Sequence, residues 1–247
     1  MKKILIFIDH DIIIRNFYKL EIFTELQNFF KVKFIGPNHK RVTIKFEELN
    51  INNYEMITLE SKRIYDQKIY GYINRLYKSR NYPKGDRKWH FEFFINIFGR
   101  FLIYYQLLKT LPIVYQIWSF LTKKKIGENF KLKELIKKEN PDLILHPTVL
   151  NGLFVDDLIS IANNLNIPTL YLMNSWDNTR SKNFTTLLPN HLFVWGEDSK
   201  MEAMKFLQMK KSDISIAGPA YYYKQDEVNE KKIENFRSKF CEQKDTF

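Results

Sequence analysis

At 247 residues with 45% hydrophobic content, the chain is long enough to bury a substantial core, which excludes a disordered, purely polar class. Its single cysteine, Cys241, excludes an intrachain disulfide framework or a cysteine-based zinc site and fits a reducing compartment. The net charge of +11 is concentrated: residues 61–138 hold 18 Lys and Arg against 5 Asp and Glu, interleaved with aromatic rings, a surface suited to an anionic partner with apolar parts.

In chain order, the apolar run Ile4–Ile8 is cut by Asp9, His10 and Asp11 before it reaches signal-peptide length, so it reads as a first strand. A helical pattern follows with Phe17, Leu20, Phe23, Leu26 and Phe30 inward, then a strand over Val32–Ile35 closed by Gly36-Pro37-Asn38. A third strand is predicted over Met56–Leu59. The basic segment reads as helices over Lys62–Ser79, Trp89–Lys109, Ile113–Lys123 and Lys131–Glu139, with Tyr82-Pro83-Lys84-Gly85 separating the first two. Strand and helix then alternate again: Leu143–Leu145, a helix near Leu153–Leu165, Thr169–Leu172, His191–Val194, a helix from Asp198 to Leu207 capped by Asp198 or Ser199, and Ile214–Ala217.

This alternation predicts an α/β fold: a Rossmann-like, mostly parallel sheet with helices on both faces and a helical, basic and aromatic insertion. One domain is expected over 1–220, including the helical segment 61–139, with 221–247 as a linker or C-terminal helix. No apolar stretch approaches the ~20 residues that span a bilayer.

Ligands of open parallel sheets sit beyond the carboxyl ends of the strands, and here those positions are polar. The first group, Asp9-His10-Asp11 with Arg15 and Asn16, has no G-x-G-x-x-G turn, which disfavours a dinucleotide. His10 or Asp11 is a candidate base for a hydroxyl, and Arg15 a candidate phosphate ligand; otherwise Asp11 caps the first helix and His10 is simply exposed. The second group is His146 and Thr148. The third, Asn174-Ser175-Trp176-Asp177-Asn178, places large or hydrogen-bonding side chains where a plain turn would use Gly; the alternative is a self-satisfied loop with Trp176 in the core. Glu197 follows the next strand. No His/Asp spacing matches a metal motif, so no metal is expected.

The run Asn174-Ser175-Trp176-Asp177-Asn178-Thr179-Arg180-Ser181-Lys182, then Leu188-Pro189-Asn190-His191, Val194-Trp195-Gly196-Glu197-Asp198 and Ile216-Ala217-Gly218-Pro219, resembles surface-polysaccharide glycosyltransferases of the GT-B superfamily. Departures are Thr179 directly after Asn178, Gly196 in place of an asparagine, and Ala220-Tyr221-Tyr222-Tyr223 after the proline. The resemblance covers about residues 140–220 and implies the N-terminal, acceptor-binding domain of a two-domain enzyme. It implies that His10 or Asp11 activates an acceptor hydroxyl and that Arg15, Asn16, His146, Thr148, Ser175, Trp176, Asp177, Asn178 and Glu197 hold substrate. No cofactor is expected on this chain itself; the nucleotide-sugar donor belongs to a missing domain or a partner chain.

A glycan or lipid-linked acceptor at the cytoplasmic face of the inner membrane gives the basic segment a role. Trp89, with Arg87, Lys88, Arg100, Lys123, Lys124 and Lys125, would face anionic headgroups. The competing interpretations are a helical core with solvated lysines, a non-catalytic chain that recruits a glycosyltransferase to the membrane, and a nucleic-acid binder. The last is disfavoured because no recognised module is present.

Overall fold

The structure, a computed structural model, describes residues 1–18, 22–39, 42–43, 46, 51–148, 150–176, 179–180 and 183–219. Seven strands form one sheet in the order β3-β2-β1-β4-β5-β6-β7: β1 (Lys3–Phe7), β2 (Lys31–Pro37), β3 (Tyr54–Ile57), β4 (Leu143–Thr148), β5 (Thr169–Met173), β6 (His191–Val194) and β7 (Ile214–Ile216). Every pairing is parallel, and helices cover the sheet, so the α/β, Rossmann-like expectation holds.

Successive side chains of β1 alternate between faces and are buried on both. Leu5 and Phe7 pack with Leu132 and Ile136 of α7 (Phe130–Glu139) and Leu158 of α8 (Val155–Leu165). Ile4, Ile6 and Ile8 pack on the other face with Ile13 of α1 (Asp11–Ile13), Phe17 of the wider turn Ile14–Tyr18 that continues it, and Phe23 of α2 (Ile22–Gln27). Local signals set the ends of α7: the Asn129 side chain accepts from Leu132 N at 3.2 Å, and Asn140 turns left-handed at φ 43° before Pro141.

Between β3 and β4 the chain builds α3 (Ser61–Lys78), α4 (Lys84–Phe98), α5 (Arg100–Leu108), α6 (Pro112–Ile126) and α7. The expected helix Trp89–Lys109 is two helices, broken at Gly99, whose φ of 79° suits a residue without Cβ. Helix α4 starts at Lys84, directly after Pro83, so half of the expected separator is helical. Strand β3 lies two residues earlier than expected, since Tyr54 pairs with Phe34 and Ile57 with Pro37. The helix after β6, α9 (Glu197–Glu202), continues as a wide turn through Leu207 but is capped by Gly196, not by Asp198 or Ser199. Leu20 and the segment 221–247 lie outside the described residues. Among the described residues no helix is long and apolar enough to cross a membrane.

Candidate functional site

Strand β1 pairs with β2 on one side and β4 on the other, so the chain reverses its direction of winding there, and a crevice opens beyond the carboxyl ends. Asp9 enters it two residues after β1 and is 2% exposed. Its Oδ2 accepts from Leu153 N at 3.2 Å. A Cβ on Gly152 would overlap that oxygen and stand 2.9 Å from Asp9 Cγ, so the loop after β4 closes over the carboxylate only with glycine.

His146, on β4, is fully buried, and its Nδ1 lies 3.1 Å from Phe7 O. A carbonyl only accepts, so Nδ1 carries the proton and Nε2 of the neutral ring holds a lone pair. Nε2 is 3.5 Å from Asp9 Oδ2 without a hydrogen bond, so the pair becomes an ion pair only if the ring takes a second proton. Burial lowers the His146 pKa, and the nearby Asp9 opposes it. Thr148 is also fully buried; its Oγ1 accepts from Leu150 N at 3.2 Å, and its carbonyl accepts from Asn174 N at 3.1 Å.

The cap of α1 is His10, whose Nδ1 accepts from Ile12 N at 3.2 Å, so neither the exposed His10 nor the Asp11 cap of the alternative expectation is found. Asp11 instead sits in the first turn and accepts from both the backbone N and Oγ1 of Thr43. Asn16 is buried and donates from Nδ2 to Asn174 Oδ1 at 3.0 Å, tying α1 to the residue after β5. The Asn16 Oδ1 accepts from Arg15 Nε at 3.0 Å, which orients an otherwise exposed guanidinium.

Trp176 is 65% exposed, which overturns the core-packing alternative for it. Its carbonyl accepts from Ser199 Oγ at 3.4 Å, and with Arg180, Glu202, Lys205 and Phe206 it lines a cavity of about 420 Å³. Ser175 is half-buried beside it, and Glu197 is exposed at the start of α9. Asp177 and Asn178 lie outside the described residues.

Spacing gave no sign of the tie between this loop and the helical insertion. Arg75, 2% exposed on α3, donates to Arg180 O and, at 2.7 Å, to Tyr82 Oη; it also stands 3.3 Å from His90 Nε2. Arg180 in turn donates to Asp86 of α4. Desolvation, with Arg75 adding to it, pushes His90 down to about 3. Asp9 and Asn174, of the first and third polar groups, belong to the site, as does Gly152, which no sequence spacing marked.

Arg87, Lys88, Arg100, Lys123, Lys124 and Lys125 are exposed on α4, α5 and α6, as is Trp89 at 44%. In sequence they flank the apolar face of α5 and α6, on which Phe101, Tyr104, Ile113, Ile117 and Phe120 are each more than half exposed. Among the described residues, no three His, Cys, Asp or Glu side chains gather as a metal would need. Compared with known proteins, the sequence matches no family model and no curated relative.

Proposed function

We propose that this chain is the acceptor-binding half of a cytoplasmic glycosyltransferase that works against an anionic membrane surface, with the nucleotide sugar held by a second domain or partner chain. The observation that carries the reading is the Asn16–Asn174 hydrogen bond, which joins α1, with Arg15 and Asp11, to the loop that exposes Trp176. An exposed indole offers a flat apolar face to a sugar ring, and Arg15 offers a fork for a phosphate.

Asp11 is the base. His10 Nδ1 is occupied by the Ile12 N–H as the helix cap, whereas the Asp11 carboxylate stands in the first turn of α1, held in place by Thr43, where it can take a proton from an acceptor hydroxyl. The acceptor hydroxyl gives its proton to Asp11 as its oxygen bonds to the anomeric carbon. The bond from that carbon to the phosphate oxygen breaks, and its electron pair leaves with the nucleotide.

A second reading, a non-catalytic chain that brings a glycosyltransferase to the membrane, is favoured by the exposed apolar face of α5 and α6. Purification of the tagged protein from its native cells, followed by intact-mass spectrometry, tests the first. A donor-binding partner in equal amount, or a chain well above 29.9 kDa, supports it. A solitary 29.9 kDa chain contradicts it.

A further inference from the structure

A groove of about 840 Å³ runs between α3, α4, α5 and α6, within the ~300–1,000 Å³ range of pockets that enclose small ligands. Its floor is apolar, with Ile69, Tyr72, Phe98, Leu102 and Trp118. Three lysines stand on its walls. Lys125 is neutralised by Asp66 at 3.0 Å. Lys68 and Lys109 have no carboxylate within ion-pair reach among the described residues. Lys68 Nζ lies over the Tyr72 ring at 5.7 Å, and Lys109 Nζ lies over Tyr105 at 4.5 Å and bonds to Gln106 Oε1 at 3.0 Å. Burial also holds the Lys109 pKa below its ordinary value, because desolvation disfavours the charged form.

The groove is continuous with the apolar face, because Leu102 of α5 both lines it and is 59% exposed. An occupant that matches this lining is largely apolar, carries negative charge for Lys68 and Lys109, and can reach the groove past the exposed Leu102. A folded protein or a nucleic acid does not fit that description, since neither presents a single apolar chain headed by one anion.

We propose that this groove binds one anionic membrane phospholipid, with an acyl chain along the Tyr72, Phe98 and Trp118 floor and the headgroup phosphate between Lys68 and Lys109. The proposal rests on the reading of α5 and α6 as the membrane-facing part. It adds a lipid taken out of the bilayer plane to a surface that merely adheres.

The test exposes the full chain to vesicles of phosphatidylcholine, alone or in equal parts with phosphatidylglycerol, then releases it for native mass spectrometry. One phosphatidylglycerol per chain, and no phosphatidylcholine, is the expected result. Lys68→Gln and Lys109→Gln should each weaken retention about fivefold. Leu102→Trp, which fills the groove, should abolish retention while the protein still sediments with vesicles. The variant Phe101→Ser/Ile113→Ser/Phe120→Ser should lose sedimentation yet keep a soluble short-chain phosphatidylglycerol. Wild-type protein that sediments but retains no lipid, or retains both lipids equally, overturns the groove proposal and leaves the membrane face standing. Glycerophosphate bound as tightly as the short-chain lipid also overturns it, because the apolar floor would then contribute nothing.

Discussion

Asp9 and Gly152 occupy the same corner of the crevice so closely that a Cβ on the glycine would overlap Asp9 Oδ2. The carboxylate has little room to retreat, being 2% exposed and bonded to Leu153 N. Gly152→Ala should therefore cost more than about 2 kcal/mol in urea unfolding, through the displaced carboxylate and the broken bond. Asp9→Ala in the same chain should recover part of that loss, a coupling that a double-mutant cycle measures.

His10 separates a capping role from a catalytic one. Asparagine caps as well as histidine does here but has no imidazole, so His10→Asn should leave both stability and transfer near wild type. His10→Ala should lower stability by about 1 kcal/mol, read by chemical denaturation.

Two buried histidines make the fold acid-sensitive. Desolvation pushes His90 to about 3 and also lowers His146, whereas an unfolded histidine titrates near 6.5. Between those values the unfolded chain binds more protons than the folded one, so stability is fully present above about pH 6.5 and falls as pH drops towards 3. Asp156, raised by desolvation, works in the opposite sense, since its folded carboxylate takes a proton first. Urea midpoints measured across this range should decline with acid, and His90→Gln should flatten the decline.

Asp86 supplies the carboxylate that faces Arg180 and Lys205 and stabilises the buried Arg75. Asp86→Asn should destabilise the protein by roughly 2 kcal/mol or more, because Arg75 then stays buried without that compensation. It should also raise proteolysis of the loop around Arg180, whose tie to α4 is removed.

The sheet was largely legible because runs such as Ile4–Ile8 and Val32–Ile35 are rich in β-branched residues flanked by turn chemistry. Gly99 was not, because apolar spacing continues through it and only the backbone angle reveals the break. In the site, spacing placed Arg15, Asn16 and Trp176 after strands, where the structure puts them. The Arg180–Asp86 pair joins residues 94 apart in sequence, and no local pattern encodes such a contact. Nor does periodicity distinguish an aromatic helix that packs inward from one that leaves Phe101 at 93% exposure.

Sugar transfer with Asp11 as the proposed base is measured directly in membranes of the native cells supplied with a panel of radiolabelled nucleotide sugars. Replacing the wild-type protein with Asp11→Asn should reduce incorporation of one sugar by about 100-fold or more, with folding and vesicle binding intact. Incorporation unchanged in Asp11→Asn membranes, but lost when the chain is deleted, would contradict the account and assign the protein to membrane recruitment of another enzyme.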